Sequence, residues 1–391
     1  MDDKRKEVCY IKAPRQMKFK ISQGDFSKAL LLVNKSLPSR TNLPILANVL
    51  VSASGNKLEI VSTNLETATR VVIGSEVEKE GKVTVPGRIL FEFISQLSEG
   101  EIVVERLGEE VLVSAKNYRA RLAIMGTEDF PAIPKIEKGK KISIGAGDFA
   151  KGILKVVFCA TQDEGRPVLT GILCDFEKES LSLVATDGYR LSFQKLACES
   201  EEVKIVVPAK ALLEVTKIIS EAEVGENQQT EILVAESLNQ INFKINNVEF
   251  TSRLIEGEFP NWQKIIPTNF TSSAKINKEE FIKLVKIASI FARDSGSIIR
   301  LSLTSESKRV ALLKVSANND QIGSNEAECE IELSGAGGQI AFNFRYILEM
   351  LSSVEGEDVN FEMIESLNPG RLTVPGDDNY FHIIMPVRLQ S

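Results

Sequence analysis

Apolar residues recur at the spacing of an amphipathic helix near the start of each third of the chain. A short alternating strand precedes each of these segments, and an acidic residue stands directly before the first phenylalanine of each. The pattern predicts helices from Asp25 to Leu37, from Asp148 to Thr161 and from Glu280 to Arg293. Their apolar stripes are Phe26, Leu30, Val33 and Leu37; Phe149, Ile153, Val156 and Ala160; and Phe281, Val285, Ala288 and Ala292.

A second helix start recurs at residues 85–92, 207–214 and 342–349, which align without a gap. Pro86 and Pro208 suit a first helical position, where a missing N–H costs no hydrogen bond, and Asn343 suits an N-cap. In all three segments a basic residue follows two positions later. These basic residues lie 122 and 135 positions apart, close to the 123 and 132 positions that separate the phenylalanines of the first helices. Two landmarks with one period indicate three copies of one structural unit.

The remainder of each copy alternates apolar and polar residues between short turns, as strands do. The first two copies end in proline-bearing segments, residues 131–140 and 260–273, which are typical of linkers. We therefore predict an α+β fold of three tandem domains, each with two helices backed by an antiparallel sheet. The predicted domains are 17–137, 138–268 and 269–391, after a disordered leader at 1–16.

Basic residues follow the face of each predicted helix that is turned away from its apolar stripe. A residue two positions after the phenylalanine lies roughly 200° around the helix, so Lys28, Lys151 and Lys283 face away from the core. A single such lysine is ordinarily a solvated surface residue, but matching positions in three copies form a stripe. A basic stripe on an acidic protein suits sequence-independent contact with DNA phosphates. Its predicted members are Lys28, Lys35, Arg88, Lys151, Lys155, Lys210, Lys217, Lys283, Lys286 and Arg345.

The composition is that of an ordinary globular protein of two or three domains, with 43% apolar and 26% charged residues among 391. The formal net charge of −7 argues against nonspecific nucleic-acid binding over the whole surface. Five scattered cysteines without a C-x-x-C, and a single histidine (His382), argue against a disulfide framework and a metal site. No apolar run approaches the length of a transmembrane helix. We therefore predict a cytoplasmic protein without metal or cofactor.

Residues 184–191, Val-Ala-Thr-Asp-Gly-Tyr-Arg-Leu, resemble a catalytic segment because an acid, a tyrosine and an arginine stand close together. The other copies carry Asn64 and Asn318 where this one has Asp187, which favours a turn between strands over an acid–base catalyst. Residues 145–150 fit G-x-G-x-x-A, a dinucleotide fingerprint, but the equivalent positions elsewhere are polar helix starts. A nucleotide-dependent enzyme and a scaffold that does not bind DNA are the alternatives.

Several motifs resemble those of the bacterial beta sliding clamp family, the processivity subunits of replicative DNA polymerase III. The resemblance extends from about Met17 to Leu389. It implies a non-catalytic DNA clamp: a homodimeric ring of six similar domains, with the basic stripe facing a hole that encircles duplex DNA. The most specific markers are Leu-Pro-Ile-Leu at 43–46 with Asn48, Ala-Thr-Asp-Gly-Tyr-Arg-Leu at 185–191, Gly-Glu-Phe-Pro at 257–260 and Met-Pro-Val-Arg-Leu at 385–389.

The resemblance also implies particular contact residues. Arg40 would contact DNA, and Leu122 would meet Ile290 and Phe291 of a second chain where the ring closes. The polymerase catalytic subunit, the clamp loader and repair proteins would bind through short peptide motifs, in an apolar pocket between the second and third domains. The residues implied for this pocket are Leu169, Thr186, Gly188, Tyr189, Arg190, Leu191, Pro260, Ile265, Asn343, Tyr346, Ile383, Met385, Pro386, Val387 and Arg388.

Three departures from the family pattern bear on the pocket. Tyr189 stands where many relatives have histidine, and Val387 stands where methionine is common. Both keep the wall apolar and are expected to affect which peptide motif is preferred. Gln390 and Ser391 extend beyond the usual terminal Arg-Leu and are expected to crowd the pocket rim.

Overall fold

The structure is a computed structural model that describes residues 17–133, 136, 138–222, 225, 228–305 and 310–388. The predicted leader at 1–16, the domain boundary residue 137 and the C-terminal extension at 390–391 lie outside the described residues.

Each third of the chain has the same element order, which confirms the repeat predicted from the sequence. A strand leads into a helix, several strands follow, and a second helix precedes three final strands. The first copy contains β1 (Lys18–Ser22), α1 (Gln23–Val33), β2 (Asn48–Ser54), β3 (Lys57–Thr63), β4 (Thr67–Gly74), β5 (Glu76–Lys79), β6 (Gly81–Pro86), α2 (Gly87–Ser95), β7 (Glu101–Leu107), β8 (Glu110–Ala115) and β9 (Tyr118–Ala123).

The second copy contains β10 (Lys140–Gly145), α3 (Ala146–Val156), β11 (Gly171–Glu177), β12 (Ser180–Thr186), β13 (Arg190–Ala197), β14 (Glu199–Ser200), β15 (Val203–Pro208), α4 (Ala209–Glu221), β16 (Gln229–Ala235), β17 (Gln240–Ile245) and β18 (Val248–Arg253). The third contains β19 (Ser272–Asn277), α5 (Lys278–Ala292), β20 (Ile298–Ser305), β21 (Ala311–Asn319), β22 (Gly323–Gly335), β23 (Gly338–Asn343), α6 (Phe344–Ser353), β24 (Asp358–Met363), β25 (Gly370–Val374) and β26 (Asp377–Ile384).

The first strand of each copy runs directly into the following helix. For this reason α1, α3 and α5 begin two residues before the acidic residues that the sequence predicted as their starts. The side chains of Ser22 and Asn277 cap α1 and α5, accepting the backbone N–H groups of Asp25 and Glu280 over 3.1 Å. The first two of these helices are also shorter than predicted, because 3₁₀ turns follow Val33 and Val156.

The prolines of the second landmark end strands, and the prediction that they occupy the first helical position is wrong. Pro86 has an extended ψ of 107°, lies opposite Asn48 in the sheet and precedes α2 by one residue. Pro208 likewise lies opposite Gly171 and precedes α4. A proline carbonyl can still accept a ladder hydrogen bond, so proline is tolerated where a strand ends.

A single long strand in the third copy replaces two strands of the other copies. In the first copy, β4 pairs with β3 and the short β5 pairs with β1; in the second, β13 pairs with β12 and β14 pairs with β10. In the third, β22 pairs with β21 through its first part and with β19 through its last part. The three copies therefore share one pairing scheme although their strand counts differ.

The chain divides into two compact units. The first contains the described residues up to Gly139, Glu221 and Ala222, and the β17–β18 hairpin, Gln240–Arg253. One of its sheets has the strand order β5-β1-β7-β8-β9, and the hairpin extends the other in the order β17-β18-β4-β3-β2-β6. The second unit holds β14-β10-β16 and a twelve-stranded sheet, β15-β11-β12-β13-β26-β25-β24-β19-β22-β21-β20-β23.

The predicted apolar stripes form the helix–sheet cores of their copies. Phe26, Phe149 and Phe281 are buried, as are nearly all the apolar residues that follow each of them at helical spacing. Ala160 is the exception: it lies beyond the end of α3 and is half-buried. Burial of one stripe on each helix leaves the opposite face free for charged residues.

Candidate nucleic-acid face and peptide pocket

The segment at 184–191 is a turn between β12 and β13. Asp187 Oδ1 accepts the backbone N–H groups of Tyr189 and Arg190 over 2.9 and 3.0 Å, and Thr186 Oγ1 accepts that of Gly188 over 3.0 Å. Gly188 has a φ of +91°, a backbone conformation that favours glycine. The carboxylate is thus committed to the backbone of its own turn, which agrees with the turn predicted from the sequence.

The equivalent turns of the other copies are stabilised in the same way. Asn64 Oδ1 accepts the N–H groups of Glu66 and Thr67 over 3.0 and 2.7 Å. In the third copy the prediction was wrong by one residue: Asn318 lies inside β21, and the Asn319 side chain accepts the N–H of Gln321 over 2.9 Å. The longer β21 moves the turn by one position.

Strand pairing joins this turn to the C-terminal strand, as the predicted pocket requires. In the β13–β26 ladder, Leu191 lies opposite Ile383, and both belong to one buried apolar cluster that Leu169 packs against. Beyond the ladder, the N–H of Met385 donates to the carbonyl of Tyr189 over 2.8 Å. Side chains from distant parts of the sequence therefore line one apolar surface.

The segment at 257–265 is held against this surface by close packing. Gly257 has a φ of +124°, and a Cβ at this position would lie 2.7 Å from Val168 Cγ2. Phe259 is buried in the apolar cluster that contains Leu191 and Ile383. The following 3₁₀ turn, Trp262–Ile265, ends at an exposed Ile265. The Gly-Glu-Phe-Pro motif thus needs glycine for its backbone and phenylalanine as its anchor.

Helix α6 carries the residues predicted for the third-copy side of the pocket. Asn343 caps this helix, since its Oδ1 accepts the N–H of Arg345 over 3.0 Å. Tyr346 lies in the first turn, and the Arg190 guanidinium carbon is 4.4 Å from the centre of its ring. Burial raises the pKa of the Tyr346 phenol, and the nearby Asp187 carboxylate raises it further. The C-terminal segment is also fixed, because the N–H of Val387 donates to the carbonyl of Ala341 over 2.8 Å.

Sequence reasoning did not identify two further groups at this pocket. Arg166 donates from Nη1 to the carbonyl of Asp187 over 2.7 Å and from Nε to Asp163 over 3.0 Å. Against the apolar cluster, the partly buried Phe193 stacks on Phe381 with ring centres 4.8 Å apart, and Trp262 packs against Phe193 at 5.3 Å. None of these residues recurs in the other copies, so the repeat contained no signal for them.

Most of the predicted DNA-contacting residues lie on exposed helix faces. In the first unit these are Lys28 on α1 and Arg88 on α2, and Arg40 is exposed in the loop that follows α1. The Arg88 Nη2 donates to the carbonyl of Pro38 over 3.0 Å, which directs this side chain towards the Arg40 loop. In the second unit the exposed basic residues are Lys151, Lys210, Lys217, Lys283, Lys286 and Arg345.

Two predicted DNA-contacting lysines are mostly buried and paired with carboxylates, whereas Lys217 remains exposed although it lies 2.8 Å from Glu214 Oε1. Lys35 Nζ lies 2.7 Å from Glu221 Oε1, and Lys155 Nζ lies 2.6 Å from Asp377 Oδ2. Lys155 also lies over the Tyr380 ring, 5.3 Å from its centre. Both side chains are mostly buried, so they are less accessible for the predicted DNA contacts than the exposed lysines are.

Models of three consecutive domains of one family match the chain. The N-terminal, central and C-terminal domains of the DNA polymerase III beta subunit match residues 17–134, 143–261 and 263–388. The chain belongs to the DNA polymerase III beta subunit family. This membership confirms the sliding-clamp function predicted from the sequence.

Relatives and solved structures agree with this assignment. The chain is 27% identical to the beta sliding clamp of Synechocystis over 95% of this chain and 100% of the relative, and 28% identical to that of Staphylococcus aureus over 95% and 99%. The Bacillus subtilis DNA polymerase sliding clamp structure matches with 25% identity and a TM-score of 0.89, covering 96% of this chain and 100% of that chain. A Pseudomonas aeruginosa clamp bound to griselimycin matches with 26% identity and the same TM-score, covering 95% and 100%.

The DNA polymerase III beta subunit family is a family of non-catalytic processivity factors. The matches therefore do not favour the nucleotide-dependent enzyme or the DNA-independent scaffold considered above. The fold prediction of three tandem clamp domains is confirmed.

The residues predicted at the clamp's dimer interface differ in exposure. Ile290 on α5 is 55% exposed, and Phe291 beside it is half-buried. Leu122 is only 9% exposed and lies on β9, the last strand of the five-stranded sheet of the first unit. In this clamp chain the edge of that strand, more than the leucine side chain, is the surface available to a partner.

Polar residues also occur in the core of the clamp fold. His382 is fully buried, its Nδ1 lies 2.8 Å from Ser192 Oγ, and burial lowers its pKa to about 3. Burial likewise raises the pKa of the neighbouring Cys159 thiol. Within the described ranges, no group of three or more His, Cys, Asp or Glu side chains is arranged to hold a metal ion. No described helix is long and apolar enough to cross a membrane.

Proposed function

We propose that two copies of this chain close into a ring around duplex DNA and tether the replicative polymerase to it in the cytoplasm. The observation that carries the proposal is the placement of exposed basic residues on the helix faces opposite the buried stripes, in all three copies. Contacts to phosphates are independent of base sequence and exchange readily with water and ions. A ring that holds DNA by its topology needs no stronger contact, and weak contacts permit sliding.

The domains of the ring are 17–137, 138–268 and 269–391, as the repeat predicts. Ring closure joins the β9 edge of one chain to the α5 surface around Ile290 of the other. Polymerase, clamp loader and repair proteins dock short peptides on the apolar surface around Leu191 and Ile383. The buried cluster beneath that surface supports the docking, because leucine and aromatic anchors need apolar walls.

DNA retention distinguishes a ring from a surface that simply binds DNA. The full chain would be loaded on nicked circular DNA by a bacterial clamp loader and isolated by gel filtration, before and after linearisation. We expect retention on the circle and loss from the linear product. Equal retention on both would refute topological binding.

Charge reversal tests the basic helix faces. The variant with Lys28→Glu, Lys151→Glu and Lys283→Glu should be loaded less efficiently and so leave fewer rings retained on circular DNA, because three phosphate-facing charges are inverted. The matched control reverses three exposed lysines outside the helices, Lys57, Lys116 and Lys178, and should be retained like the natural chain. If both variants are retained equally, these helix faces do not contact DNA.

A further inference from the structure

The Arg190 guanidinium is enclosed at the junction of the second and third copies. Its side chain is only 9% exposed, at the first position of β13. Nε donates to Asp187 Oδ2 over 3.0 Å, Nη2 donates to the carbonyl of Phe158 over 2.6 Å, and Nη1 donates to Glu349 Oε2. Each nitrogen of the guanidinium therefore has an acceptor within the chain.

The same group lies over two aromatic rings. The guanidinium carbon is 4.4 Å from the centre of the Tyr346 ring and 5.5 Å from that of Phe158. A guanidinium can stack on a ring while its N–H groups bond carboxylates in its own plane. The hydrogen bonds of Arg190 thus hold its guanidinium over Tyr346, a predicted wall of the peptide pocket.

The two carboxylates that bond Arg190 differ in what they connect. Asp187 is mostly buried and also accepts two backbone N–H groups of its own turn, so it belongs to the second copy alone. Glu349 is 45% exposed and lies on α6, three residues after Tyr346, so the two side chains share a helix face. Glu349 is therefore the group that ties the Arg190 plane to the helix carrying Tyr346.

We propose that Glu349 is a positioning residue of the peptide pocket: it holds the Arg190 guanidinium against Tyr346 and thereby fixes the wall that α6 contributes. The inference rests on the proposed peptide-docking function. Without Glu349, Asp187 still compensates the buried charge, so the chain folds. The guanidinium then loses its hydrogen bond to Glu349 on α6. A bound peptide has to order the α6 side of the pocket itself, and this weakens binding.

The test measures binding of a fluorescein-labelled peptide of about ten residues, with leucine and phenylalanine anchors, to the full chain by fluorescence polarisation. We expect Glu349→Ala to weaken binding about 5-fold, as for loss of a half-exposed charged hydrogen bond. Glu349→Gln should weaken it less, because the amide oxygen still accepts a hydrogen bond. Glu355→Gln, which removes an exposed carboxylate that lies 4.0 Å from Lys151, is the matched control and should bind like the natural chain.

A double-mutant cycle separates positioning from general structural support. Arg190→Lys replaces the planar guanidinium with a point charge. In that background, Glu349→Ala should weaken peptide binding less than about 2-fold. If Glu349→Ala weakened peptide binding fully in both the natural chain and the Arg190→Lys variant, or in neither, the inference would be overturned. If Glu349→Ala lowers the melting temperature, Glu349→Gln and the cycle decide the question. Failure of the natural chain to bind the peptide would instead refute the proposed pocket.

Discussion

Helix α3 carries two lysines for which the structure predicts different effects on substitution. Lys151 and Lys155 are one helical turn apart, and both were predicted to contact DNA. The side chain of Lys151 is 67% exposed and lies 4.0 Å from a carboxylate of Glu355 that is 87% exposed. The side chain of Lys155 is 21% exposed and lies 2.6 Å from Asp377, which is 25% exposed. We expect Lys155 to stabilise the fold and Lys151 to act in DNA retention.

The expected loss of stability follows from how deeply each ion pair is buried. Exposed ion pairs contribute about 0.2–1 kcal/mol, whereas breaking a fully buried pair costs about 3–5 kcal/mol. The Lys155–Asp377 pair lies between these limits, and the cation over the Tyr380 ring adds about 0.5–1 kcal/mol. We therefore expect Lys155→Met, which keeps the apolar stem, to lower the free energy of unfolding by about 2 kcal/mol. Lys151→Met should leave it unchanged, because surface substitutions of this kind are usually neutral.

Urea unfolding followed by tryptophan fluorescence measures this difference. Trp262 is the single tryptophan and packs on Phe193 in the second unit, which also contains both lysines. A cycle that adds Asp377→Asn should show a coupling of about 1 kcal/mol with Lys155→Met. Unchanged stability of Lys155→Met, combined with a loss of DNA retention equal to that of Lys151→Met, would refute the reasoning.

Three further outcomes follow from single positions. Gly257→Ala should lower the free energy of unfolding by about 2 kcal/mol, because Gly257 has a positive φ and an added Cβ would meet a close side chain. Gly24→Ala should be neutral or stabilising in the same denaturation assay, because an added Cβ there would have nothing within 4 Å. Burial depresses the pKa of His382 to about 3, so on acidification the unfolded chain binds a proton at this histidine before the folded chain does. Between pH 7 and pH 5 this difference should lower the free energy of unfolding by about 2 kcal/mol, and the His382→Gln variant should lack this pH dependence. Ile290→Glu should shift the chain towards monomer in sedimentation measurements, whereas the equally exposed Ile322→Glu should not; a dimer that persists would argue against that interface.

Local signals predicted the repeated elements well, because helix stripes and turn residues are selected by geometry within a few residues. The stripe that begins at Phe26 is buried as its spacing predicts, and the Asp187 turn is bonded as a turn. Errors were confined to element ends. Pro86 ends a strand, and the third-copy turn uses Asn319, because strand length depends on pairing with neighbours that local sequence does not specify.

The pocket shows the limit of the same reasoning. Its apolar wall was predicted from the family resemblance, since Leu191 lies within a recognisable motif and Ile383 lies two residues before another. Glu349, which we propose to organise the polar side of the pocket, could not be found in this way. Glu349 and Arg190 are 159 positions apart, and nothing in the local sequence of either residue indicates the other.

The sequence by itself determined that this chain is three copies of a helix-and-sheet unit with basic residues on the helix faces opposite the core. Periodicity determines this because burial of one helix face is a local requirement. Only the tertiary structure decided which basic residues remain exposed and which, like Lys155, are bound by a carboxylate from another copy. The physical reason is that an ion pair depends on distance and burial, and both are properties of chain segments that meet only when the sheets pair.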